Sequence, residues 1–174
     1  MSLTTRKIYF NWIFWFFIGN ALLFWGIGLH YLASVIPFHL SVSSLANQLL
    51  ACLFLFSAFL GQLGLFACIA AIIPILLVIL FPSKKLIFSV SVIIGFLFAY
   101  LLSVDTFVFG QYHFHLNGVI WKLLTGGEAS EVFDLSWLEW LSIGLLSSLL
   151  FALEIGLAIF IWKRLRHKTY TLHY

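Results

Sequence analysis

The sequence predicts an all-α integral membrane protein, a four-helix transmembrane bundle with both termini cytoplasmic, forming one domain over residues 1–174. Three observations predict it. Hydrophobic residues make up 63% of the chain and charged residues only 9%, whereas a soluble domain carries roughly 25% charged residues. Apolar runs long enough to cross a hydrocarbon core of about 30 Å recur four times. Eight of the nine basic residues flank the same ends of those runs: Arg6 and Lys7 before the first, Lys84 and Lys85 between the second and third, and Lys163, Arg164, Arg166 and Lys168 after the fourth. Only Lys122 falls elsewhere. Basic flanks stay on the cytoplasmic side, so one pattern sets both span number and orientation.

The first span is expected at about residues 8–32, an uncleaved signal anchor longer than a signal-peptide core. Trp12 and Trp15 lie near its cytoplasmic end, where indole rings prefer the interface. A short uncharged loop with Pro37, His39 and several serines follows. The second apolar stretch, about 46–81, is too long for one perpendicular crossing. It must tilt, kink at Pro74 or project beyond the outer surface. Pro82-Ser83-Lys84-Lys85 makes a tight cytoplasmic turn. The third span, about 86–104, ends at Asp105, which serves as a polar anchor at the outer interface. The outer segment, 105–136, carries Asp105, Glu128, Glu131 and Asp134, with a turn at Gly126-Gly127. The fourth span is about 137–162. Small residues at four-residue spacing mark where helices meet: Ser148, Ala152 and Gly156 on the fourth span, Gly95 and Ala99 on the third, Gly64 and Cys68 on the second.

Little here suggests catalysis. No P-loop, dinucleotide-binding glycine loop, hydrolase nucleophile elbow or HExxH helix is present, and the chain is read as non-enzymatic and without a cofactor. Cys52 and Cys68 fall about 24 Å apart along a helix, too far to bridge. The net charge of +3 sits beside the spans, which favours anionic lipid over nucleic acid. Lys84, Lys85, Lys163, Arg164 and Arg166 are the expected lipid-binding rim, with cardiolipin or another anionic lipid as ligand.

Glu154 is the sharpest single residue. It lies nine residues before Lys163, about 13 Å inside the cytoplasmic end, where an acid costs about 2–3 kcal/mol. Ser147 and Ala158 share its face, and the small-residue ladder lies about 200° away around the helix. Asn20 on the first span and Ser89 or Ser91 on the third reach a similar depth. Three roles fit: a hydrogen-bonded glutamate joining the bundle, a contact for a partner helix centred on Glu154, Ser147 and Ala158, or proton or ion transport. His113 and His115 share a side only if the chain is extended, and two ligands do not make a metal site. No metal is expected.

The string from Asp105 to Trp121 resembles the amino-terminal membrane domain of the YejM (PbgA/LapC) family. That pattern has an acid, then Val-Phe, an aromatic, His-x-His-Leu-Asn and a nearby Trp. Asp105, His113, His115, Leu116, Asn117 and Trp121 match it in order. Glu154, upstream of Trp162-Lys-Arg-Leu-Arg166, resembles the family's glutamate in the fourth span. The resemblance runs from about Gly61 to Arg166, and the first span agrees only in character. It implies a Gram-negative inner-membrane regulator of lipopolysaccharide synthesis that engages a LapB-type membrane adaptor. The family's fifth helix and periplasmic sulfatase-like domain lie outside this sequence, so a fragment or a short relative is expected. Two other functions compete: a membrane anchor for a periplasmic sulfatase or phosphoethanolamine-transferase-like protein, and a small lipid transporter, which needs a continuous polar path.

Overall fold

In the computed structural model the four predicted spans are four long helices: α1 (Leu3–His39), α2 (Leu45–Leu80), α3 (Lys84–Tyr112) and α4 (Trp137–Thr171). The structure describes residues 3–39, 44–112, 115 and 136–171, and no strand occurs among them. Each helix contains a stretch apolar enough to cross a membrane. Helices are the spanning form because lipid offers no partner for backbone N–H and C=O groups.

Helix ends differ from expectation in ways that matter for the site. α1 continues through Pro37 to His39. α2 runs unbroken through a buried Pro74. A helix of 36 residues is about 54 Å long, so this one exceeds the hydrocarbon thickness. α3 itself runs on past Asp105 for two more turns, to Tyr112, and Asp105 accepts a hydrogen bond from Tyr31 of α1. The turn between α2 and α3 is tight, with Ser83 N–H donating to Phe81 O at 2.6 Å.

α1 and α3 form a parallel central pair at a nearly constant register. Trp12 stacks on Phe88 and Phe24 on Phe98, with ring centroids 3.9 and 6.5 Å apart. α2 and α4 flank this pair on opposite sides, antiparallel to α1, and do not touch one another among the described residues. Two indoles pin the flanks. Trp12 Nε1 donates to Ala158 O on α4, and Trp25 Nε1 donates to Leu60 O on α2, each at 3.2 Å. Trp12 is therefore fully buried, not an interfacial ring as its sequence position suggested. Trp15, on the next face, is 49% exposed.

Gly95 and Ala99 face the core as expected. The ladder on α4 does the opposite. Ser148, Ala152 and Gly156 are all exposed, and a Cβ on Gly144 or Gly156 would meet nothing within 4 Å. The pair on α2 also turns away: Cys68 is exposed and Gly64 has no neighbour at its Cβ position. α4 instead buries Leu150, Glu154, Ala158 and Ile161.

Candidate functional site

Helical periodicity places Glu154 and Ala158 on one stripe of α4, and that stripe packs on the α1–α3 pair. Glu154 is 0% exposed, and so are Asn20 and Ser91. Asn20 Nδ2 donates to Glu154 Oε2 at 3.2 Å and also lies 3.2 Å from Phe16 O. Gly95 makes room for the pair. A Cβ there would lie 2.8 Å from Glu154 Oε2 and 2.9 Å from Asn20 Oδ1. Both contacts are tighter than packed side chains tolerate. The three helices thus meet at a polar node inside an otherwise apolar bundle.

Of the three roles left open for Glu154, this geometry is that of a hydrogen-bonded glutamate between bundle helices, not of the centre of an outward docking face. Ala158 is buried beside it, 2% exposed, and its carbonyl accepts the Trp12 indole. Ser147 is part-buried and its hydroxyl donates back to Ile143 O at 2.6 Å. The physical reason is solvation. A buried acid costs least where another polar side chain meets it, and Asn20 provides that partner within the bundle. Among the described residues, Gln62 on α2 is exposed and is not part of the node.

A second polar cluster closes the outer end. Tyr31 on α1 donates its hydroxyl to Asp105 Oδ2. His115 Nδ1 lies 3.0 Å from the same oxygen. The His115 ring stacks on Phe109, centroids 4.6 Å apart, and Tyr31 meets Phe109 edge-on at 5.3 Å. Asp105 therefore ties α1 to α3 and to the chain beyond α3. Gly110 lets the helices close here, since a Cβ would lie 2.8 Å from His30 Nε2. Nothing in the sequence singled out Tyr31. His113, Leu116, Asn117 and Trp121 lie outside the described residues. Among the described residues no group of three or more His, Cys, Asp or Glu is placed to hold a metal ion.

The basic end is built on aromatic rings. Lys84 Nζ sits 4.3 Å from the Trp162 ring centroid and 5.6 Å from that of Phe88, within cation–π range. Trp162 stacks against Tyr9 at 6.3 Å and meets Phe88 edge-on at 5.1 Å. The α2–α3 turn is thereby held beside the end of α4. Lys84, Lys85, Lys163, Arg164 and Arg166 are all exposed at this end of the bundle.

Above the rim, α3 and α4 part to leave an apolar groove of about 310 Å³. Val92 and Ile93 line one wall; Phe151, Ile155 and Ile159 line the other. Ile155 and Ile159 interleave with the outward ladder, so groove and ladder form one continuous surface.

Residues 2–174 match the family described as Domain of unknown function (DUF3413). Inner membrane protein YejM of Salmonella typhimurium strain LT2 is 28% identical over 104 residues, which is 56% of this chain and 17% of that protein. The protein of the same name from Salmonella typhi gives the same figures. The matched part is thus well under a quarter of the length of these curated relatives.

Proposed function

Because the chain belongs to the DUF3413 family and is a multi-pass protein of the bacterial inner membrane, we propose that it is a non-catalytic regulator of envelope lipid homeostasis. It acts by docking a partner transmembrane helix, that of a LapB-type adaptor, and by gripping anionic lipid at its basic rim. One observation carries this reading. α4 presents Gly144, Ser148, Ala152 and Gly156 outward at four-residue spacing, next to an apolar groove. Lipid tails are as apolar as leucine, so close backbone approach is what distinguishes a helix-binding face from a lipid-facing one. The remaining exposed positions on α4 include Leu149, Leu153 and Phe160, ordinary lipid-facing residues. The test is co-purification of the adaptor from native membranes with the wild-type chain and with ladder variants.

The same reading fixes orientation. Basic flanks put both termini in the cytoplasm. A reporter active only in the periplasm, fused at Tyr174, should stay inactive. Strong activity there would reject the four-span topology.

Lipid binding is expected at the rim. Each basic group near an anionic surface contributes about 1 kcal/mol. Replacing Lys85, Lys163, Arg164 and Arg166 together by alanine should strip cardiolipin or phosphatidylglycerol from the purified protein, read by native mass spectrometry. Lys84 is left in place because it also braces Trp162. Equal lipid retention by this variant would remove lipid from the proposal.

A further inference from the structure

The node where α1, α3 and α4 meet contains more hydrogen-bonding capacity than its one interhelical bond uses. Three side-chain atoms there have no hydrogen-bond partner: Asn20 Oδ1, Ser91 Oγ and Glu154 Oε1. All three residues are 0% exposed. Ser91 lies one helical turn below Gly95 on the same face of α3. The Cβ position of Gly95 in turn falls within 2.9 Å of both Asn20 Oδ1 and the Glu154 carboxylate. Asn20 Oδ1 and the Glu154 carboxylate thus meet beside Gly95, and Ser91 lies one turn away on the same face of α3.

Their chemistry is complementary to one small molecule. An amide oxygen and a carboxyl oxygen accept hydrogen bonds, whereas a serine hydroxyl both donates and accepts. A water molecule donates twice and accepts. A buried polar group left unpaired in lipid costs several kcal/mol, and a buried water typically satisfies about three such groups at once. We propose that this node is a binding site for a single internal water, which donates to Asn20 Oδ1 and Glu154 Oε1 and accepts from the Ser91 hydroxyl. A divalent cation fits poorly. Calcium and magnesium take about six or more oxygens, and the node offers the two carboxyl oxygens, one amide oxygen and one hydroxyl. The water brings α3 into a network that otherwise joins only α1 to α4. It makes the three-helix joint one hydrogen-bonded unit.

Two measurements on the full chain in lipid bilayers test this. Proton-detected solid-state NMR should show magnetisation transfer from water to the Asn20 side-chain amide, lost in Ser91→Leu, which replaces the hydroxyl by an apolar side chain. The second measurement is a double-mutant cycle of Ser91→Ala with Glu154→Leu, read as bilayer unfolding equilibria. Ser91 and Glu154 share no direct hydrogen bond in the structure, so a bridging water should couple them by about threefold or more in the folding constant. Coupling together with the water signal supports the site. Additive effects, or no transfer from water, overturn it. So does a carboxyl proton bonded directly from Glu154 to Asn20 Oδ1. Stability that rises with divalent cation at fixed ionic strength would assign the node to a metal instead.

Discussion

Glu154→Leu is expected to loosen the bundle itself. The substitution deletes the acceptor of the Asn20 amide while keeping roughly the same volume. The lost interhelical hydrogen bond is worth about 0.6–2 kcal/mol. The stranded Asn20, fully buried, adds about 1–3 kcal/mol when its donor is left with one partner fewer. Glu154→Gln retains an acceptor oxygen in the same place and should cost much less. Gly95→Leu should reproduce the leucine defect by a different route, because any side chain there displaces both Asn20 and Glu154; overpacking of this kind costs about 1–3 kcal/mol. Unfolding in mixed micelles, followed by circular dichroism, compares the three. Wild-type stability of both Glu154→Leu and Gly95→Leu would mean that the node does not hold the helices together.

The ladder on α4 should behave in the opposite way. Gly156→Leu adds a side chain where nothing lies within 4 Å of the Cβ position. It creates no internal clash, and leucine has a better helix propensity than glycine by somewhat less than the alanine–glycine difference of about 0.8–1 kcal/mol. The isolated chain should therefore be as stable as wild type or slightly more so. Association with a partner helix should weaken about tenfold or more, equivalent to about 1.4 kcal/mol, because a leucine holds the two backbones apart. The Gly144→Leu change should act in the same direction. Stability and association are thus expected to separate: node variants lose the first, ladder variants only the second. Loss of stability in Gly156→Leu would show that α4 uses this face inside the bundle.

The contrast between node and ladder explains what the sequence could and could not reveal. Four spans were legible because hydropathy and basic flanks act along the chain. Depth was partly legible: Asn20, Glu154 and either Ser89 or Ser91 were expected at a similar level, and Asn20 meets Glu154 while Ser91 is buried and Ser89 exposed. Facing direction was not. In a soluble protein a polar stripe marks the outside of a helix. In lipid both faces are apolar, so the small-residue ladder gave no sign of whether it met the bundle or its surroundings. Reading the ladder as internal gave Glu154 a different neighbour from the ladder's and left open whether that neighbour was a bundle helix or a partner. The end of α3 was missed for a related reason. Asp105 reads as a helix terminus only when its partner is taken to be water, and the Tyr31 hydroxyl that engages it sits on another helix, 74 residues earlier. The cation–π contact of Lys84 with Trp162 is equally remote in sequence.

The most direct test of the division between an inner node and an outer docking face is a photo-crosslinking scan along α4 in native membranes. A photoreactive residue is placed singly at Gly144, Ser148, Ala152 and Gly156, and for comparison at Leu149, Leu153 and Phe160. Crosslinks to the LapB-type adaptor should appear at the four ladder positions and fall away at the three comparison positions, giving a four-residue period along the helix. Crosslinks of equal strength all round the helix, or confined to Leu149, Leu153 and Phe160, would contradict the account.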